Sequence, residues 1–83
     1  MPTLQFYTRK DCTLCHSALA VVRRVQQRIP FMLECIDIDE NPALRARYGA
    51  VIPVITCGPM ELASSFVEEK ALHNALKNLT KKS

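Results

Sequence analysis

The stretch "TLQFYTRKDCTLCHSALAVVRRVQQ", residues 3–27, places a pair of cysteines between two different periodicities. Its first six residues alternate and are rich in aromatic and β-branched types, which predicts a strand over 3–8. From Cys12 to about Gln27 the apolar residues recur every three or four positions, which predicts an amphipathic helix that ends near Pro30. The C-x-x-C pair therefore lies where a strand passes into a helix.

The chain continues with a second strand and a second helix. "FMLECIDID", residues 31–39, alternates in part and predicts the strand. Asn41 and Pro42 then predict the cap and the first position of a short helix. Leu44 and Tyr48, four positions apart, would form its buried side.

Two more strands and a last helix are predicted beyond it. "VIPVITC", residues 51–57, predicts a third strand in which Pro53 belongs at the start or on an edge. A glycine-proline turn then leads into a brief fourth strand at 60–62. The residues 65–68, "SFVE", have the pattern of a capping box, which predicts a final helix that runs through Leu79.

This order of elements predicts an α/β fold. The first two strands flank a helical crossover and should be parallel, and the last two should form a hairpin. The result is a four-stranded mixed sheet flanked by three helices in the order β-α-β-α-β-β-α. Because the chain has 83 residues, we expect one domain over 1–83.

Composition excludes several classes of function. Apolar residues make up 48% and charged residues 23%, as in ordinary globular proteins, and the net charge is only +3. The basic residues are scattered and there is no tryptophan, so we expect no nucleic-acid partner. Without a secretory pattern at the amino terminus or a long apolar run, we expect a cytoplasmic monomer with no membrane partner. Cysteines there are catalytic or metal-binding more often than structural disulfides.

The position of the C-x-x-C pair favours thiol–disulfide chemistry. Cys12 would lie at the first helical turn, where free N–H groups favour its thiolate. A helix end contributes about 0.3 to 1 kcal/mol, whereas a pKa lowered by two units requires about 2.7 kcal/mol. Amide hydrogen bonds, Arg9 and Lys10 would supply the remainder and Asp11 would oppose them, so we predict a moderately lowered pKa. Cys12 would attack a substrate disulfide, and Cys15 would resolve the mixed disulfide.

Two other chemistries fit the same cysteines. "CTLCH", residues 12–16, matches the C-x-x-C-H pattern of c-type haem attachment, with Met32 or Met60 as a further axial ligand. Haem attachment needs export and a mostly helical fold around the haem. The other alternative, which ranks before haem attachment, is a zinc or iron–sulfur module. Its ligands would be Cys12, Cys15, His16 and either Cys35 or Cys57, although there is no second C-x-x-C. If they are not ligands, Cys35 and Cys57 are predicted to be small core residues.

At this point the chain resembles the glutaredoxin family of the thioredoxin superfamily. "YTRKDCTLC" resembles that family's strand, basic residue and dithiol, and "AVIPVITC" resembles its cis-proline segment. More narrowly, "CTLCHSA" followed by "IDIDENPALRARYGAVIPVI" is similar to small glutaredoxin-like proteins. The resemblance implies a thioredoxin-like fold and reduction of disulfides in proteins or of mixed disulfides with glutathione. It also implies glutathione or thioredoxin reductase as electron donor, with glutathione as a co-substrate and no bound cofactor.

The resemblance also implies roles for the substrate-binding residues. Pro53 would be cis and face the dithiol, and the Ile52 backbone would pair with an extended substrate segment. Arg9 would contact a glutathione carboxylate, which a guanidinium can do through a bidentate pair. "MELASSF" lacks the family's Gly-Gly turn and following acidic residue, so Ser64 and Ser65, expected at a helix N-terminus, would take their place.

Overall fold

The computed structural model describes residues 1–81, so the last two residues of the predicted domain, 82 and 83, lie outside it. The strands are β1 (Thr3–Thr8), β2 (Met32–Asp37), β3 (Val54–Cys57) and β4 (Met60–Ser64). The helices are α1 (Thr13–Arg28), α2 (Pro42–Tyr48) and α3 (Glu69–Lys81), and a 3-10 helix spans Ile38–Glu40.

The four strands form one mixed sheet in the order β2-β1-β3-β4. β1 and β2 are parallel because α1 carries the chain across one face between them. β3 is antiparallel to both β1 and β4. The predicted element order, sheet and helix number are confirmed, and this topology places the start of α1 beside the start of β3 at one end of the sheet.

Helices cover both faces of the sheet. On one face, Leu4 and Phe6 of β1 pack with α1 and α3; the buried residues of these helices are Cys15, Ala18, Val22, Val25, Leu72 and Leu76. On the other face, the Tyr48 ring of α2 stacks on Tyr7 with ring centroids 4.5 Å apart. Ile38 and Val54 complete this smaller cluster. Each face is therefore closed by apolar side chains at helical spacing, as the periodicity predicted.

The helix caps show where the predicted boundaries hold and where they fail. The Asn41 side chain accepts the N–H groups of Ala43 and Leu44, which confirms the predicted start of α2. The capping box predicted at 65–68 is wrong. The carboxylate of Glu68 caps α3 instead, accepting from the N–H groups of Lys70 at 3.3 Å and Ala71 at 3.0 Å.

Two strands are shorter than predicted. β2 ends at Asp37, because its side chain accepts the N–H of Asp39 at 2.9 Å and turns the chain into the 3-10 helix. The third strand begins at Val54 rather than at residue 51. The segment 51–53 instead bonds to the N–H of Ser65, which donates to the carbonyls of Val51 and Pro53 at 2.8 and 2.9 Å.

Candidate active site

Cys12 is the residue that caps α1. Its backbone is extended, with φ −92° and ψ 104°, and its Sγ accepts the N–H of Cys15 at 3.1 Å. Cysteine thus occupies the position where serine or aspartate usually accepts such a bond. The amide end of a helix favours negative charge at that sulfur.

The two cysteines of the pair differ in exposure. Cys12 is half-buried, whereas Cys15 lies on the core side of α1 with 1% of its surface exposed. Their Sγ atoms are 2.50 Å apart and their Cα atoms 5.2 Å apart, so the pair stands at disulfide distance. Cys12 is therefore the more accessible cysteine of the pair.

The loop before β3 lies next to the start of α1. The Ile52–Pro53 peptide bond is cis. Pro53 is buried and lines a groove of about 200 Å³ together with Leu14 of α1 and Phe66. Within residues 1–81, no main-chain hydrogen bond engages the N–H or C=O of Ile52. The structure thus brings three of the predicted features together: the dithiol helix, Pro53 and an unpaired backbone at Ile52.

An exposed apolar surface borders this groove. Leu14 is 61% exposed, Phe66 72% and Val51 36%. Sequence reasoning assigned Leu14 to the buried face of α1 and Phe66 to a helix cap, so it missed both. The available signal was that Leu14 lies between the two cysteines, in the first turn of α1.

Arg9 is engaged within the protein. Its guanidinium pairs with the carboxylate of Asp39 in the 3-10 helix, with Nε 3.0 and 3.1 Å from the two oxygens and Nη2 2.9 Å from Oδ1. The carboxylate that Arg9 pairs with in this structure is therefore that of Asp39, and the predicted contact with a glutathione carboxylate stays a prediction. An external carboxylate would have to exchange with Asp39 or use Nη1.

Ser64 and Ser65 do not lie at the helix N-terminus where they were expected. Ser64 ends β4, and three residues separate Ser65 from Glu69 at the start of α3. Ser65 has a positive φ of 65°, and its N–H is taken by the carbonyls of Val51 and Pro53. The N–H of Ser65, which was predicted to take part in glutathione binding, instead holds the segment 51–53 with its cis-proline in place.

The cysteines outside the pair lie apart from it in the sheet. Cys57 is half-buried near the β3–β4 turn, whereas Cys35 is exposed, so its predicted core position is wrong. β2 is an edge strand, and α1 leaves Cys35 uncovered. In the part of the chain that the structure describes, no three His, Cys, Asp or Glu side chains form a group that could hold a metal ion. The four-ligand set considered from the sequence is therefore not assembled there.

No helix within residues 1–81 has both the length and the apolar composition that are required to cross a lipid bilayer.

The sequence matches a family model along most of its length. Residues 3–77 match the glutaredoxin-like domain (DUF836). The chain belongs to this glutaredoxin-like family. No curated protein matches the chain.

Solved structures agree with the observed fold. The glutaredoxin-like chain is similar to protein XcR50 from X. campestris, with 25% identity, a TM-score of 0.78 and coverage of 90% of this chain and 96% of that one. It is also similar to protein Ne2328 from Nitrosomonas europaea, with 31% identity, a TM-score of 0.76 and coverage of 90% and 92%. A chloroplastic thioredoxin z shares the fold at 15% identity, with a TM-score of 0.77 over 98% of this chain and 80% of that one. These likenesses confirm the thioredoxin-like fold.

Proposed function

We propose that this glutaredoxin-like protein is a thiol–disulfide oxidoreductase with Cys12 as nucleophile and Cys15 as resolving thiol. The observation that carries the proposal is the arrangement of the pair. An accessible sulfur at the amide end of α1 accepts the Cys15 N–H at 3.1 Å, and the buried second sulfur stands at disulfide distance. Membership of the glutaredoxin-like family supports the same chemistry.

The proposed reaction transfers two electrons in two exchange steps. The Cys12 thiolate attacks one sulfur of the substrate disulfide, and the substrate's S–S bond breaks as its other sulfur leaves and takes a proton. Cys15, as thiolate, then attacks Sγ of Cys12 and releases the second substrate thiol. The substrate is reduced and the Cys12–Cys15 pair is oxidised. Two electrons from glutathione or thioredoxin reductase return the pair to the dithiol.

The surface beside Cys12 favours an extended protein segment as substrate. The free N–H and C=O of Ile52 can pair with such a segment as an added strand would, and Pro53 forms the floor of the adjoining groove. Leu14 and Phe66 offer apolar contact on either side. A small charged disulfide gains less from this surface, so we place glutathione as a co-substrate rather than the preferred target.

The remaining substrate-binding residues receive narrower roles in this proposal. Arg9 contacts a substrate anion through Nη1 or in exchange with Asp39, which holds its Nε and Nη2 through three close contacts. Ser65 holds the loop before β3 in place, because its N–H donates to the carbonyls of Val51 and Pro53. Ser64 precedes it at the end of β4. We propose that the protein works without a bound cofactor as a monomer in the cytoplasm, where reduced glutathione and thioredoxin reductase can recharge it.

The proposal is tested by disulfide reduction with two substrates and two donors. Purified protein is assayed on insulin and on a glutathione mixed disulfide, each with the glutathione system and with thioredoxin reductase. We expect activity with at least one donor and a higher kcat/KM on insulin, and Cys12→Ser should abolish both reactions. Activity that survives in Cys12→Ser, or no activity with either donor, would reject the proposal.

A further inference from the structure

The turn that carries Cys12 is tied to the 3-10 helix after β2 by one carboxylate. Asp39 in that helix holds the guanidinium of Arg9, with Nε 3.0 and 3.1 Å from its two oxygens and Nη2 2.9 Å from Oδ1. The carbonyl of the same Arg9 accepts the N–H of Cys12 at 3.2 Å. We propose that Asp39 is a positioning residue for the thiol pair, which acts through Arg9 on Cys12. This role rests on the proposed function, in which Cys12 is the nucleophile.

Asp39 is itself held in place by its neighbours. Its N–H donates to Oδ1 of Asp37 at 2.9 Å, where β2 turns into the 3-10 helix. The adjacent Ile38 is fully buried and packs in the smaller cluster with Tyr48 of α2. A bidentate carboxylate fixes the direction of a guanidinium as well as its distance. Asp39 therefore restrains Arg9 from a part of the fold that is anchored in the core.

The restraint reaches the sulfur of Cys12 through two hydrogen bonds. The first closes residues 9–12 into a turn, because the N–H of Cys12 donates to the carbonyl of Arg9. The turn fixes the extended backbone of Cys12, with φ −92° and ψ 104°, and in that conformation Sγ accepts the N–H of Cys15 at 3.1 Å. When Arg9 is released, the turn is less restrained and the hydrogen bond to Sγ weakens. The thiolate of Cys12 then loses part of its stabilisation by the amide end of α1.

Two further properties of the turn set the size and the sign of the expected effect. On its other side, Nε2 of His16 lies 3.3 Å from the carbonyl oxygen of Lys10, so one contact with α1 remains when Asp39 is removed. The loss of thiolate is therefore partial. Removal of a carboxylate also makes the surroundings of Cys12 more positive, which by charge alone favours the thiolate. Positioning and charge thus predict opposite signs for Asp39→Ala.

The test measures the thiolate of Cys12 without a disulfide substrate. Alkylation by iodoacetamide is followed against pH in the reduced Cys35→Ala/Cys57→Ala variant, and peptide mass spectrometry assigns the product to Cys12. In this background Asp39→Ala should lower the alkylation rate at neutral pH about threefold, the size of one weakened hydrogen bond. The rates of the two proteins should converge at high pH, where both thiols are ionised. Asp39→Asn keeps one acceptor oxygen and should lose less.

Asp11→Ala is the matched control for charge. Asp11 directly precedes Cys12, is exposed and makes no ion pair with any other described residue. Its replacement removes the same charge and leaves the pair of Asp39 with Arg9 intact, so it should raise the alkylation rate of Cys12.

Arg9→Gln shows whether Asp39 acts through Arg9. In that background the pair is already lost, so Asp39→Ala should raise the alkylation rate as Asp11→Ala does. A rate in Asp39→Ala equal to or above that of its parent would overturn the proposal, and so would a loss that persists with Arg9→Gln. Because alkylation needs no disulfide substrate, an inactive parent rejects the proposed function while the alkylation rates still decide the role of Asp39.

Discussion

The N–H of Cys15 donates to the Sγ of Cys12 at 3.1 Å, while the Cys15 side chain itself is buried with 1% of its surface exposed. One residue thus contributes twice to the site. Its amide favours negative charge on the outer sulfur, and its thiol stands behind that sulfur at disulfide distance. The proposed division of roles between the two cysteines rests on this single helical turn.

The first prediction concerns the thiolate of Cys12. In the reduced protein we expect Cys12 to titrate below the ordinary thiol value of about 8.5, because the α1 amide end and the Cys15 N–H both favour its charged form. The measurement is thiolate absorbance against pH in the Cys35→Ala/Cys57→Ala variant, with Cys12→Ser added as the blank. A Cys12 that titrates at the ordinary value would contradict the account of its activation.

The second prediction concerns the apolar surface formed by Leu14 and Phe66. Phe66→Ser should lower kcat/KM for insulin about tenfold, because the contact of one large side chain contributes about 1.5 kcal/mol and 1.4 kcal/mol is a factor of ten. Leu14→Ser should act in the same direction. Reduction of hydroxyethyl disulfide should be unaffected, since that substrate is too small to cover either side chain.

Met60→Ser is the matched control for this surface. Met60 is another exposed apolar residue, at the start of β4, and it does not line the groove with Pro53. We expect its insulin kinetics to match those of the parent. Equal losses on both substrates in Phe66→Ser would show that the side chain supports the fold of the site and not protein docking.

The third prediction concerns the ion pair that joins α1 to α3. Arg24 Nε donates to Glu69 Oε1 at 2.8 Å. This hydrogen bond lowers the pKa of Glu69 from its ordinary 4.5, desolvation opposes the shift, and the charges of Arg24, Arg28 and His73 add to it. Because the pKa is lowered in the folded state, the stabilisation is present above 4.5 and is lost as pH falls through the folded-state value.

Urea unfolding of Arg24→Gln measures this contribution. The variant should unfold at slightly lower urea than the parent at neutral pH, and the two midpoints should converge in acid once Glu69 is protonated. Arg23→Gln, the exposed neighbour on α1, should match the parent at both pH values. A gap between parent and Arg24→Gln that persists in acid would assign the effect to packing of the arginine and not to its charge.

Local sequence signals predicted the elements whose ends are fixed by their own residues. Asn41 followed by Pro42 marked the start of α2, because the capping amide and the fixed proline φ both act within one turn. Tyr48 was assigned to the buried side of the same helix, and it stacks on Tyr7. The strand-to-helix position of the cysteine pair was predicted in the same way.

The errors arose where a distant partner decides the outcome. Ser65 at the start of "SFVE" suggested a cap, but its N–H bonds the loop at Val51 and Pro53, and Glu68 caps α3. The alternation around Cys35 suggested burial, but burial depends on strand order, which puts β2 at the edge. Arg9 pairs with Asp39, thirty residues away in the chain. None of these contacts has a local signature in the sequence.

Trapping of the mixed disulfide in Cys15→Ala tests the central claim most directly. Alanine keeps the buried position apolar and removes the resolving thiol, so attack should stop after the first exchange. Incubated with a disulfide-bonded protein such as insulin, this variant should accumulate a covalent complex whose linkage, mapped by mass spectrometry, is through Cys12. A complex linked through Cys35 or Cys57, or full turnover without any trapped complex, would contradict the assignment of Cys12 as nucleophile and Cys15 as resolving thiol.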